Sequence, residues 1–106
     1  MIEVHNAPER SRYEIHVDGT YAGFAHYRRH GGSLIFDHTV IEEQFAGQGL
    51  ASDLVGSVLD DVRAHQGRIV AECNYVAGWL SKNQDYDDLV DHELAAQIQG
   101  TSSSQG

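Results

Sequence analysis

The chain is poor in cysteine and in positive charge, and it has no long apolar run. Its one cysteine, Cys73, excludes an intramolecular disulfide. Seven basic residues face 16 acidic ones, for a formal net charge of −9. Nucleic-acid surfaces need a clustered basic face, so no nucleic-acid partner is expected. The start, Met1-Ile2-Glu3-Val4, has no basic region followed by an apolar stretch. No signal peptide or membrane span is expected, and the default location is cytoplasmic. No internal repeat and no long linker divides the 106 residues. Residues 1–98 are expected to form one domain, and the small polar residues 99–106 a disordered tail.

What is present is enough to fold, since hydrophobic residues make up 41% of the chain. Residues 2–5 alternate loosely as a first strand. Tyr13, Ile15 and Val17 alternate with polar neighbours as a half-buried strand. Asp18-Gly19 is a hairpin signal, Thr20 to Arg28 continues as a strand, and Gly31-Gly32 turns into a strand over Ser33 to Ile41. The period then changes. Leu50, Leu54, Val55, Val58, Leu59 and Val62 recur at helical spacing, with Gly67 expected as the left-handed stop. Arg68 to Cys73 reads as a strand. A strand–helix–strand order implies a right-handed crossover and a parallel pair. Tyr75 to Ser81 and Tyr86 to Ile98 read as further helices.

The most informative stretch is Gln44-Phe45-Ala46-Gly47-Gln48-Gly49, between the last antiparallel strand and the long helix. A glycine-rich turn there aims backbone N–H groups outward at the positive end of the helix, which suits a phosphate. A P-loop needs Gly-Lys-Ser/Thr, and Leu50-Ala51 is not that. A dinucleotide fingerprint belongs in the first unit of a longer parallel sheet, and here antiparallel strands come first. The third pattern is Q/R-x-x-G-x-G/A, matched at every defined position.

That motif resembles the pyrophosphate loop of the GNAT superfamily of acyl-CoA N-acyltransferases. With His38-Thr39-Val40 before it, Leu50-Ala51 after it and Cys73-Asn74-Tyr75-Val76 further on, the chain resembles a small single-domain family of N-acetyltransferase-like proteins. The resemblance covers nearly all of residues 1–92. Ala46 stands where that family often has Arg, and Asn83-Gln84 where it has His-Pro. The resemblance implies an α/β (α+β) GNAT-like fold in a truncated, minimal version: a mostly antiparallel sheet with a βαβ crossover. It implies an N-acetyltransferase that binds acetyl-CoA through Thr39, Val40, Gln44, Phe45, Ala46, Gly47, Gln48, Gly49, Leu50, Ala51 and Asn74. The implied acceptor is an amine, in a small molecule or a protein. The alternative is a non-catalytic CoA or acyl-CoA binding module.

Cys73 sits where a strand gives way to a helix, whose N-terminus favours a thiolate. A lone cysteine is also often a small buried apolar residue. The family resemblance places it near the thioester, where it either carries the acetyl group or lines the path of a direct transfer. His38 is the candidate base. On a regular strand it shares a face with Leu34, Phe36 and Val40, which is the position of a core histidine. Glu42 and Glu43 read as solvated loop acids. His26, His30 and His38 lack a diagnostic metal spacing, so no metal site is expected.

Overall fold

The computed structural model describes the backbone of residues 1–103 and the side chains of residues 1–98. Five strands form one mixed sheet in sequence order: β1 (Ile2–Ala7), β2 (Arg12–Val17), β3 (Thr20–His30), β4 (Ser33–Ile41) and β5 (Arg68–Ala71). The first four pair antiparallel, and β5 lies parallel to β4. The crossover runs through α1 (Leu50–Ala64), and α2 (Asn74–Lys82) and α3 (His92–Ser103) follow β5.

The hairpin signals act as their residues require. Asp18 and Gly19 both take positive φ, 50° and 84°, as a two-residue turn between right-twisted strands demands. The helical stripe of α1 is buried in full: Leu50, Leu54, Val55, Val58, Leu59 and Val62. It packs on Tyr13, Ile15, Ala25, Tyr27 and Phe36, which line one face of the sheet. On the other face, Leu94 of α3 packs on Ile35 and Val70.

Three local expectations need correction. The left-handed residue after α1 is Gln66, with φ 60°, not Gly67. Gly67 instead donates its N–H to the Val62 carbonyl at 2.9 Å, where its missing Cβ spares a close contact with the Val62 side chain. The expected helix over 86–98 is split. A 3-10 turn covers Gln84–Leu89, and Val90 pairs with Ile69 beside the sheet before α3 starts. Asp91 stops the first piece and caps the second, because its N–H reaches the Ile69 carbonyl and its carboxylate accepts from the Leu94 amide. The tail expected over 99–106 is helical through Ser103, while residues 104–106 lie outside the described residues.

Two irregularities shape the region that follows. The β3–β4 register passes from Tyr27↔Phe36 to His26↔His38, so Asp37 is an extra residue in β4. Such a bulge bends the strand and raises its twist. The β4–β5 ladder also closes at Phe36↔Ala71. The Phe36 carbonyl there accepts two amides, from Glu72 and Cys73, each at 2.9 Å. Beyond that point β4 continues to Ile41 while the chain after β5 turns away into α2. The sheet forks at Phe36.

Candidate functional site

The glycine loop lies between β4 and α1. Glu43–Phe45 make one 3-10 turn, Ala46 is extended, and Gly47 and Gly49 take φ 82° and 76°. Gly49 is the residue before α1, and no side chain caps that helix. A Cβ added at Gly47 or Gly49 would meet nothing within 4 Å. The first intrahelical bond comes from Asp53 to the Gly49 carbonyl, and the amides of Gly47 through Ser52 meet no acceptor among the described residues. A helix start leaves such amides unsatisfied by construction, and two left-handed glycines keep the approach to them open. Gln44, Ala46, Gln48 and both glycines are exposed, whereas Leu50 is buried and anchors the loop to the core.

Beside the loop, a cleft of about 290 Å³ opens between the start of α1 and α2, lined by Ser52, Asn74, Tyr75, Trp79 and Lys82. Lys82 is the chain's one lysine. The cleft has a fixed wall. The Trp79 indole N–H donates to Ser52 Oγ at 3.0 Å and packs edge-on against Tyr86, whose hydroxyl donates to Asp60 of α1 at 2.7 Å.

Cys73 stands at the open end of the fork, half-buried, as the residue before α2. Its thiol donates to Thr39 Oγ1 of β4 at 3.4 Å. Burial pushes this thiol up. The Thr39 hydroxyl and the amides of Val76, Tyr75 and Thr39 outweigh burial, so the net shift is downward. The sulfur makes no closed capping hydrogen bond in the thiol form. The helix-start amides therefore act mainly on the anion. One prediction follows from the direction of this shift. A thiol whose pKa is lowered reaches half-ionisation at lower pH, so the pH midpoint for iodoacetamide alkylation of Cys73 is expected below that of the denatured chain. Thr39→Val should move the midpoint back up. Equal midpoints in native and denatured protein would show an untuned thiol.

The bulge changes the reading of His38. One extra residue reverses the alternation, so Thr39 and not His38 shares the inner face with Phe36. The core-histidine position expected from a regular strand is therefore wrong. His38 is 71% exposed on the opposite face, where its Nδ1 donates to Asp37 Oδ1 at 3.1 Å. Val40 is exposed on that same side. Thr39 and Cys73 thus meet across the fork, and His38 lies on the opposite face of β4.

Asp37 is a functional candidate that alternation alone does not reveal. It accepts from His26 Nδ1 at 2.8 Å and from Arg28 at 3.0 Å, and Arg28 also pairs with Glu72 at 3.0 Å. Burial works against its charge, yet the two histidines and the guanidinium hold its carboxyl below the usual range. In the sequence it is one of three consecutive polar residues, Asp37-His38-Thr39, after the apolar Leu34-Ile35-Phe36, and no break in an alternating pattern marks it.

The site is thus a mixed sheet that forks at its fourth strand, with a glycine loop leading into the crossover helix. A family model described as GCN5-related N-acetyl-transferase matches residues 12–89. The chain belongs to that family. Its fold is similar to that of a GCN5-like protein from Staphylococcus aureus, solved in solution, with a TM-score of 0.63 at 22% identity, covering 83% of this chain and 86% of that one. A ribosomal-protein-alanine N-acetyltransferase from Brucella melitensis biovar Abortus gives a TM-score of 0.48 at 18% identity, over 77% of this chain and 64% of that one. No curated protein matches the sequence.

Proposed function

We propose that residues 1–98 act as an acetyl-CoA-dependent N-acetyltransferase. The observation that carries this reading is the loop at the fork: two left-handed glycines with nothing within 4 Å of their missing side chains, in front of amides that meet no acceptor. A polyphosphate fits that cradle without a basic residue in the loop, which matters in a chain of net charge −9. Gln44, Phe45, Ala46, Gly47, Gln48, Gly49, Leu50 and Ala51 form the cradle in this reading. Lys82 and Asn74 serve the flanking cleft, and Thr39 and Cys73 line the gap, with Val40 following on the opposite face of β4. Bound there, acetyl-CoA supplies an activated acyl group.

The chain's own groups then divide the work. The Thr39 amide, which already favours negative charge on Cys73, is placed to donate to a developing oxyanion. Cys73, as thiolate, is placed to accept the acyl group, forming an S–C bond as the CoA sulfur leaves. In this reading His38, with Asp37 beside it, takes the proton that an incoming amine loses. Among the described residues, the helix packed on the His38 side of the sheet is α3, against Ile35 and Val70 rather than β1 to β3. An open face suits a bulky or protein-borne amine better than a small enclosed one.

Calorimetric titration with CoA and acetyl-CoA, with dephospho- and desulfo-CoA as controls, tests the binding half. Saturable binding of CoA is expected, and none at millimolar concentrations would overturn the reading. Intact-mass measurement after incubation with acetyl-CoA tests the chemistry. A single acetyl adduct is expected in the native chain and none in Cys73→Ala. Undiminished turnover in Cys73→Ala would leave direct transfer to the amine. Binding without any turnover would reduce the chain to a CoA-binding module.

A further inference from the structure

We propose that His26, Asp37 and His38 form a binding site for a divalent transition metal of the zinc class, on the sheet face opposite α1. The bulge makes the site possible. On a regular strand, successive side chains point to opposite faces. The extra residue instead brings Asp37 and its neighbour His38 to the same point, and His26 reaches it from β3 as the cross-strand partner of His38.

The donor set is two imidazole nitrogens and one carboxylate oxygen. Both Nδ1 atoms meet the same oxygen, Asp37 Oδ1, at 2.8 Å and 3.1 Å. One donor atom from each of the three residues lies within 4.8 Å of the others. Zinc–ligand bonds of about 2.1 Å place tetrahedral donors roughly 3.4 Å apart, so the two N···O distances need to open by about 0.3–0.6 Å, while the two imidazole donors, within 4.8 Å of each other, close toward the ion by side-chain rotation. His38, at 71% exposure, is free to make that adjustment. The two Nδ1 protons that now hold the cluster together move to Nε2 through solvent, and the cation takes their place. Two imidazoles and one carboxylate suit zinc, nickel and copper better than magnesium or calcium. Three protein donors leave a fourth position open.

A second cluster gives an internal comparison. His5, Glu14 and His16 also bring three donors within 4.8 Å. There, however, two guanidiniums, of Arg10 and Arg12, already occupy Glu14 Oε2 at 3.1 Å and 2.9 Å. A cation placed there meets two positive charges. Asp37 has one guanidinium, on its other oxygen, and that guanidinium is shared with Glu72. The charge balance favours the bulge site, and a cation held there would occupy the His38 and Asp37 atoms that the transfer reading uses to take up a proton.

Titration of the whole chain with zinc chloride by calorimetry, and with cobalt chloride by visible absorption, tests the proposal. One equivalent is expected to bind, with cobalt showing the ligand-field bands of a low-coordinate site. His26→Gln still offers a hydrogen bond to Asp37 but no imidazole donor. It should weaken zinc affinity by about tenfold or more. His38→Ala, at an exposed position, should do the same. His5→Ala and Cys73→Ala should leave affinity unchanged. No saturable binding at millimolar zinc would overturn the proposal. So would unchanged affinity in His38→Ala, or a loss that follows His5 or Cys73 instead.

Discussion

Gly49→Val is expected to lose CoA binding by about a hundredfold or more, equivalent to roughly 3 kcal/mol, while keeping its fold. The two effects come from different sides of the same Cα. A β-branched residue at φ 76° is strained, at a cost of about 1–2 kcal/mol to stability. That cost is tolerable, because the space around the missing Cβ is empty and no protein atom need move. The binding loss is larger because the new methyl groups stand in front of the amides of Leu50, Ala51 and Ser52, which have no other acceptor. Hydrogen bonds from such donors to a charged group contribute about 1.5–3 kcal/mol each. Thermal melting by circular dichroism alongside calorimetry separates the two. Near-native CoA affinity in a folded Gly49→Val chain would remove the loop from the binding site.

The largest effect on stability is expected at Gly23→Ala. Gly23 lies in β3 opposite Ile41, and a Cβ there would stand 2.3 Å from the Val40 carbonyl oxygen. That oxygen belongs to the backbone and cannot rotate aside, so the strands must separate. Overpacking of this kind costs about 1–3 kcal/mol, and more where main chain must shift. The affected segment is the part of β4 that carries Thr39 and ends at the glycine loop. Chemical denaturation should show a midpoint well below that of the native chain. A melting temperature within a degree or so of native would show that β4 can move at little cost, and the fork would then be a soft feature.

Much of the architecture was legible because local chemistry and tertiary packing agree. The α1 stripe from Leu50 to Val62 is apolar at helical period and is buried without exception. Asp18-Gly19 turns where a two-residue hairpin needs positive φ. The glycine loop was legible because its function depends on backbone, which leaves glycine as its signature. What escaped depends on pairing between distant segments. The bulge at Asp37 is a property of β3 against β4, and no single strand displays it. It transfers His38 from the inner face to the outer one and so changes what that residue can do. The break at Val90 has the same origin, since its bridge to Ile69 competes with a helical pattern that looks continuous in the sequence. Gln66 took the left-handed position from Gly67 because Gly67 was needed against Val62.

The fork at Phe36 has one more consequence. From Asp37 to Ile41 the outer edge of β4 has no strand beside it among the described residues. Its backbone groups there form half of a ladder, and the Thr39 amide favours negative charge on the Cys73 sulfur. Such an edge accepts an added strand of any chemistry that spaces amides correctly. An inhibitor of this protein therefore need not imitate a nucleotide. A short chain of secondary amides, ending in an electrophile that reaches Cys73, would zip the open edge shut and seal the thiol beneath it.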